Sequence, residues 1–209
     1  MQWVVLLGWL GLIWLKPKRL RIWLAAGLAC AMLAQLLLLN MDGLLTLETA
    51  LPLHLCGLFG VLSIPMLFRA PKPLYEAQMF LGAPAAFLTL FFPAVMPCSH
   101  PLLMKWAFSQ LHALIALMPV YHFRTGKPLP VSPQRTLVLG NGYLLLIGAF
   151  NRVFQTNYLF LRAAPAGTPL SFLFEKGAAV YICSLEMLCM LAFLWLKRLY
   201  QGSRKYVIM

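Results

Sequence analysis

The sequence predicts an all-α polytopic membrane protein, a helix bundle with about seven transmembrane helices in which residues 1–209 form a single integral membrane domain. Composition is the first reason: 62% of the residues are apolar and 11% are charged, whereas soluble domains average about 45–50% and about 25%. The second reason is that the apolar residues form continuous runs, most of them near the ~20 residues a helix needs to cross the hydrocarbon core. Strands of a membrane barrel are only ~10 residues long and alternate in polarity, so helices are the predicted spanning elements.

Seven segments are predicted to cross the membrane, and the first needs the most justification because it is short. It lacks both the basic start and the small-residue cleavage site of a signal peptide, so we count it as a helix. In the third segment Pro52 lies near the start, where proline is tolerated. Gly82 and Pro84 interrupt the fourth. The segments are residues 2–15, 22–41, 50–68, 75–96, 102–123, 136–155 and 177–197.

The distribution of basic residues predicts the orientation. Thirteen of the 17 fall in the first, third and fifth loops and the C-terminal tail: Lys16, Lys18, Arg19, Arg21, Arg69, Lys72, Arg124, Lys127, Arg135, Lys197, Arg198, Arg204 and Lys205. The other side holds Lys105, Arg152, Arg162 and Lys176, together with Asp42, Glu48 and Glu175. The positive-inside rule therefore places the N-terminus outside and the C-terminus in the cytoplasm. We attribute the net charge of +12 to topology and headgroup contact rather than to nucleic-acid binding. A bacterial cytoplasmic (inner) membrane is the predicted location.

The five cysteines show no CxxC pair or other metal-binding spacing, so neither a metal site nor a disulfide framework nor a cofactor is predicted. Cys30, Cys183 and Cys189 are interpreted as small apolar residues of buried helix faces.

Polar side chains at membrane depth are the candidate functional residues, because each uncompensated one is costly and tends to face a cavity or a partner. They are predicted to converge in the outer half of the bundle. The set comprises His54, Gln110, His112, Asn141, Asn151 and Glu186, with Cys56 close to His54.

Cys56 is the candidate nucleophile of this set. On a continuous helix His54 and Cys56 diverge by about 200°, so the base for the thiol is more plausibly His112 from another helix. A neighbouring imidazole is what thiolate chemistry requires. The alternative interpretation of His112 is structural, with a hydrogen bond across the bundle to Gln110, Asn151 or Glu186.

Four motifs resemble the YwaF-type integral membrane family, which is also similar to the animal transmembrane protein 164, over about residues 45–195. They are Leu51-Pro-Leu-His-Leu-Cys56, Phe80-Leu-Gly-Ala-Pro-Ala-Ala-Phe-Leu-Thr89, Phe108-Ser-Gln-Leu-His112 and Asn151-Arg-Val-Phe-Gln-Thr-Asn-Tyr-Leu-Phe-Leu161. The resemblance implies a bundle of about seven helices and acyl transfer between phospholipids through a cysteine, which falls on Cys56. The histidine falls on His112, and the loop signature falls on Asn157 and Tyr158.

The chain departs from the family pattern in two places. It reads Thr89-Leu-Phe-Phe-Pro93 where Thr-Pro-Asp is expected, and Gly177-Ala-Ala-Val-Tyr181 where an aromatic Trp-Pro-Trp-Tyr is expected. The first change removes an aspartate that would orient the histidine.

The leading functional hypothesis is a phospholipid acyltransferase or hydrolase with membrane phospholipid as its partner. In it Cys56 attacks the acyl ester, His112 moves the proton and Asn151 or Asn157 stabilises the oxyanion. His54, Gln110, Tyr158 and Glu186 are the other substrate-binding or supporting candidates. Two alternatives stay open: a small-solute or proton-coupled carrier or binding protein, and a non-catalytic membrane subunit whose polar residues only join helices.

Overall fold

The computed structural model describes residues 1–126, 133–164, 169–177, 179–188, 190–191, 194 and 198. Across these residues the chain forms helices and loops and no strand, which confirms the all-α prediction. The chain divides into two compact units, Met1–Pro128 and Leu129–Met209. Each unit is described by itself, and the assignment of residues 1–209 to one membrane domain stays a prediction.

Both units consist of helices and short connections. In the first unit the helices are α1 (Gln2–Leu15), α2 (Leu20–Met41), α3 (Leu47–Ala50), α4 (Leu55–Met66), α5 (Lys72–Ala77), α6 (Ala83–Phe91) and α7 (Pro101–Arg124). The π-helical turn Gln78–Gly82 joins α5 to α6. In the second unit they are α8 (Pro133–Phe154), the 3₁₀ turn Tyr158–Phe160, α9 (Pro169–Glu175) and α10 (Ala179–Leu188).

Five helical segments are long and apolar enough to cross a membrane, counted over the part of the chain that the structure describes. They are Leu20–Met41, Leu47–Met66, Lys72–Phe91, Pro101–Arg124 and Gln134–Phe154. The first and last predicted segments correspond to the shorter apolar helices Gln2–Leu15 and Ala179–Leu188. The structure thus gives a helical bundle with five full-length candidate spans. The end of the predicted segment 177–197 lies partly outside the described residues.

In the first unit α7 is the central helix, since it packs against α1, α2, α4 and α6. Its position follows from its composition. The spans Pro101–Arg124 and Lys72–Phe91 are less apolar than Leu20–Met41, and a larger share of their residues is buried. Polar side chains are costly in lipid, so the least apolar helices occupy the interior.

The first and last turns of the helices in this unit lie in two groups, at opposite ends of the unit. At one end the Gln2 side chain donates to the Leu90 carbonyl at 3.1 Å. Asp42, at the C-terminal end of α2, accepts from the Ser99 backbone N–H at 2.8 Å and from its hydroxyl at 2.5 Å. The Ser99 hydroxyl, and then its backbone N–H, hold the pKa of the Asp42 carboxyl below its usual range. We name this the first end; it is the predicted outer face.

At the opposite end the last turns of α1, α4 and α7 come together. The Arg124 guanidinium donates to the Trp14 carbonyl at 3.2 Å, and the Tyr121 hydroxyl donates to the Leu67 carbonyl at 3.4 Å. We name this the second end. These contacts establish that α1, α4 and α7 run in the same direction, as the predicted alternation of spans requires. Which end faces the cytoplasm stays a prediction.

The predicted continuous helix 50–68 is divided by Pro52. The helix α3 ends at Ala50, a tight turn centred on Pro52 follows in which the Leu53 N–H donates to the Leu51 carbonyl at 2.9 Å, and α4 begins at Leu55. Proline has no N–H to continue a helix and disfavours the α conformation of the residue before it. Gly57 then lets the chain pack closely, because a Cβ there would lie 3.0 Å from Pro52 Cα.

A second proline, Pro119, lies inside α7 and removes one hydrogen bond of that helix. The carbonyl four residues earlier, that of Ile115, has no helical N–H to accept from. The side chain of the fully buried Gln78 replaces the missing N–H donor, because its Nε2 donates to the Ile115 carbonyl at 2.9 Å. The Ser63 hydroxyl donates to Gln78 Oε1 at 3.4 Å. The Gln78 side chain, which belongs to the π-helical turn, therefore supplies the hydrogen bond that α7 lacks.

We expect Gln78→Met to lower the free energy of unfolding by about 1–3 kcal/mol, because a buried carbonyl loses its donor. The same substitution in a Pro119→Ala background should cost clearly less, since the introduced alanine has a backbone N–H that can donate to the Ile115 carbonyl. Thermal unfolding of the four proteins in detergent measures this double-mutant cycle. Equal costs in both backgrounds would contradict the proposed substitution of one donor for another.

Candidate functional site

The Cys56 thiol lies in the first turn of α4 and contacts α6. Its Sγ is 3.9 Å from Oγ1 of Thr89. The Thr89 hydroxyl donates its one proton to the Ala85 carbonyl at 2.8 Å, which leaves its oxygen to accept from the thiol. Cys56 is half-buried. The thiol, which is the candidate nucleophile, therefore lies in a polar contact between two helices.

This contact lies toward the first end of the unit. Thr89 precedes Leu90, whose carbonyl accepts from Gln2 at the start of the chain. Cys56, by contrast, is ten residues from the last residue of α4, Met66, which is about 15 Å along a helix. That this end is the outer face, and the site therefore in the outer half of the bundle, stays a prediction.

His54 occupies the N-cap position of α4 with extended backbone angles, φ −67° and ψ 148°. It is therefore not part of the helix that carries Cys56. The divergence of about 200° expected for the two side chains assumed a continuous helix and does not apply here.

His112 lies in the middle of α7 and is oriented by its own helix. Its Nδ1 is 2.8 Å from the Phe108 carbonyl, and its ring lies against the Phe108 ring with centroids 4.1 Å apart. A carbonyl only accepts, so a neutral imidazole in this position carries its proton on Nδ1 and its lone pair on Nε2. This is the tautomer that accepts a proton through Nε2.

The Phe108 carbonyl is not one of the partners that were expected for a structural His112, namely Gln110, Asn151 and Glu186. Of those, Gln110 accepts from the Trp9 indole N–H at 2.9 Å and so ties α7 to α1. Gln110 thereby has a defined packing role in the first unit.

The segments that carry Cys56 and His112 pack against each other. Gly60 lies one turn beyond Cys56 on the same face of α4, and a Cβ at Gly60 would lie 3.0 Å from the Leu111 side chain. Leu111 directly precedes His112. Long side chains on a helix lean toward its N-terminus, and the contact with Phe108 shows this for His112. The imidazole therefore lies nearer the first end than the Cα of His112 does. In the same way, Cys56 lies nearer the first end than Gly60.

In the second unit Asn151 holds the loop that follows α8. Its Nδ2 donates to the Tyr158 carbonyl at 2.8 Å, and its Oδ1 accepts from the Tyr158 N–H and from the Thr156 hydroxyl, each at 2.9 Å. Asn151 and Tyr158 are 1% and 0% exposed. Both ends of the amide are therefore engaged with the loop.

The same loop is held a second time by Asn157. Its Nδ2 donates to the Ala163 carbonyl at 2.9 Å, and its Oδ1 accepts from the Arg162 N–H at 2.9 Å. Gln155, Leu159 and Phe160 have positive φ values of 56°, 57° and 55°, a conformation that costs an L-residue about 1–2 kcal/mol. Such strain persists only where surrounding contacts determine the backbone. The asparagines supply these contacts.

We expect Asn151→Ala to lower the free energy of unfolding by about 1–3 kcal/mol, because buried partners lose their hydrogen bonds. The backbone N–H of Tyr158 should exchange with deuterium faster. Asn141→Ala is the matched control, since the exposed Asn141 donates to the Leu137 carbonyl of its own helix. Hydrogen–deuterium exchange of a peptide covering residues 155–162 measures the effect. Unchanged exchange would show that the loop does not depend on this amide.

The remaining candidates are placed as follows. Glu186 is half-buried on α10 of the second unit. Cys30 and Cys183 are exposed rather than buried, so they belong to outward-facing surfaces of their helices. Cys189 lies outside the described residues.

The polar residues of the first unit that were missed at the level of sequence include Thr89 beside the thiol, and Glu76 and His122 with 0% and 1% exposure. The ring centroids of Tyr75 and His122 are 4.9 Å apart. Glu76 could have been found, because a carboxylate inside an apolar segment is rare. Thr89 carried no such signal, because a lone threonine is common in membrane helices. Among the described residues no group of three or more His, Cys, Asp or Glu side chains is arranged to hold a metal ion.

The model of the TMEM164 family matches residues 1–197. No curated protein and no solved structure matches the chain.

Proposed function

Because the chain belongs to the TMEM164 family of membrane proteins, we propose that it is an integral membrane enzyme that transfers or hydrolyses phospholipid acyl groups through Cys56 and His112. The observation that carries the proposal is the contact of Cys56 Sγ with Thr89 Oγ1 at 3.9 Å. In this contact a thiol lies beside one hydroxyl between α4 and α6, toward the end predicted to be the outer face. Ester carbonyls of phospholipids lie at such a depth, between hydrocarbon and headgroup.

The reaction follows from the roles of the two side chains. His112 accepts the Cys56 proton on Nε2, and Sγ attacks the ester carbonyl carbon. The carbon–oxygen bond to the lysophospholipid breaks, and the departing oxygen takes the proton from His112. A hydroxyl of a second lipid, or water, then attacks the thioester while His112 takes its proton. The attack regenerates the Cys56 thiol, which recovers its proton from His112.

Thr89 supports this assignment as a neighbour of the nucleophile rather than as the nucleophile. Its proton is donated to the Ala85 carbonyl, and a hydroxyl is a weaker nucleophile than a thiol near neutral pH. By accepting from the thiol, Thr89 positions Sγ until His112 removes the proton.

The proposal is tested by a lipid assay on purified protein in mixed-phospholipid vesicles, with products resolved by mass spectrometry. We expect lysophospholipid or remodelled phospholipid, and a thioester on Cys56 that neutral hydroxylamine cleaves. Solute uptake by the same vesicles without any lipid product would contradict it and support a carrier instead.

A further inference from the structure

A cavity of about 240 Å³ opens at the second end of the first unit, between the α1–α2 loop and the end of α7. Three cationic side chains line it, those of Lys16, Lys18 and Arg21, with the hydroxyl-bearing Tyr121 and Thr125. No carboxylate is among the lining residues. We infer that this cavity, the basic pocket, binds a phosphate-bearing anion, and that the occupant is the phosphate of an anionic phospholipid in the adjoining leaflet.

The charges of the basic pocket call for an anion. Three like charges around one cavity repel one another, and a phosphate turns that repulsion into attraction. The Arg21 guanidinium presents a planar fork that matches phosphate oxygens, and ammonium groups bind phosphate as point charges. The size also suits a headgroup, since 240 Å³ is below the ~300–1,000 Å³ of pockets for drug-sized ligands.

The two hydroxyls that line the cavity donate their protons to backbone carbonyls of the same unit. Thr125 Oγ1 lies 3.0 Å from the Tyr121 carbonyl and 3.1 Å from that of His122, so its proton is directed at the end of α7. The Tyr121 hydroxyl donates to the Leu67 carbonyl. The cationic side chains are thus the groups that would meet the ligand.

The backbone of the loop determines where its cationic side chains begin. Lys16 is fixed at φ 47° and ψ 54°, and its N–H donates to the Leu12 carbonyl at 3.1 Å, which ends α1. Pro17 follows with a restricted φ. Arg21 lies in the first turn of α2, which contains no acidic residue, although cations at a helix start are unfavourable and anions favourable.

Topology alone does not explain this arrangement. The positive-inside rule requires only that basic residues lie on one side. Arg69 and Lys72 satisfy it from the loop between α4 and α5 without lining the cavity. The α1–α2 loop lies just beyond the last residue of α1 and the first residue of α2, at the level where headgroups begin. A lipid phosphate therefore reaches the pocket from the membrane surface.

The test compares two matched double variants of the full chain, Lys16→Gln with Arg21→Gln, and Arg69→Gln with Lys72→Gln. Each protein is extracted from vesicles of phosphatidylcholine and phosphatidylglycerol, and native mass spectrometry measures the retained phosphatidylglycerol relative to phosphatidylcholine. Extraction at near-physiological salt suppresses diffuse attraction. Both thermal midpoints are measured, and Lys18→Gln, which changes one exposed side chain, serves as a milder second variant.

We expect the pocket variant to lose phosphatidylglycerol retention about tenfold or more and Lys18→Gln severalfold, while the Arg69 and Lys72 variant stays near the wild type. Equal losses in both double variants, or none in either, would overturn the proposal. Millimolar inorganic phosphate is added in a parallel arm. Retention that resists it identifies the lipid headgroup as occupant, and retention that it abolishes overturns the lipid assignment in favour of a soluble phosphate.

Discussion

Cys56→Ala is expected to reduce lipid turnover on the order of 10³-fold or more, to the background of the assay, because it removes the nucleophile of the proposed reaction. Stability should change little. The thiol makes a long contact with Thr89, and alanine removes only the sulfur from a half-buried site. The thioester on residue 56 should disappear together with the product. Product formation by mass spectrometry, beside the thermal midpoint of the same preparation, measures both expectations.

Cys30→Ala is the matched control for that experiment. Cys30 is an exposed cysteine on α2 of the same unit, so its loss removes one thiol from the protein without touching the proposed site. We expect unchanged turnover. Cys56→Ser, which keeps the shape and the contact with Thr89, should retain only a small fraction of activity, because the hydroxyl is the weaker nucleophile. Undiminished turnover by Cys56→Ala would refute the cysteine mechanism whatever the other variants do.

The helical fold was predictable because lipid imposes a simple rule. Backbone groups inside a membrane must be satisfied within the segment, so a continuous apolar run becomes a helix whatever its detailed sequence. The predicted runs 22–41 and 102–123 differ by no more than two residues at either end from α2, Leu20–Met41, and α7, Pro101–Arg124. Propensity and packing hardly affect such bounds.

Bounds that depend on single residues were less predictable. The run 50–68 is largely apolar, yet Pro52 separates α3 from α4 and places His54 outside the helix. Hydropathy does not distinguish a proline in the first turn of a helix from one that ends the preceding helix. Likewise the partnership of Gln78 with the Ile115 carbonyl joins residues 37 positions apart. It follows from Pro119 only when the packing of α7 against the π-helical turn is known.

The candidate site was predictable in its residue types and less so in their contacts. Cys56 and His112 could be selected because thiols and imidazoles are scarce and reactive at membrane depth. The role of Asn151 could not be derived, since an asparagine may serve a loop as well as an oxyanion, and here both ends of its amide bind the strained segment after α8. Its role in catalysis stays a prediction.

His112→Ala is expected to reduce turnover about 10²–10⁴-fold, the usual contribution of a general acid–base group. Its Nδ1–H is held by the Phe108 carbonyl, so Nε2 would take the proton of Cys56 and return it to the leaving oxygen. A second readout separates this role from a merely structural one: the rate at which iodoacetamide alkylates Cys56 should fall in His112→Ala, because less thiolate forms. His100→Ala, an exposed histidine at the start of the same helix, is the matched control and should alter neither rate. Loss of turnover with unchanged alkylation of Cys56 would mean that His112 serves the leaving group or the fold but does not activate the thiol.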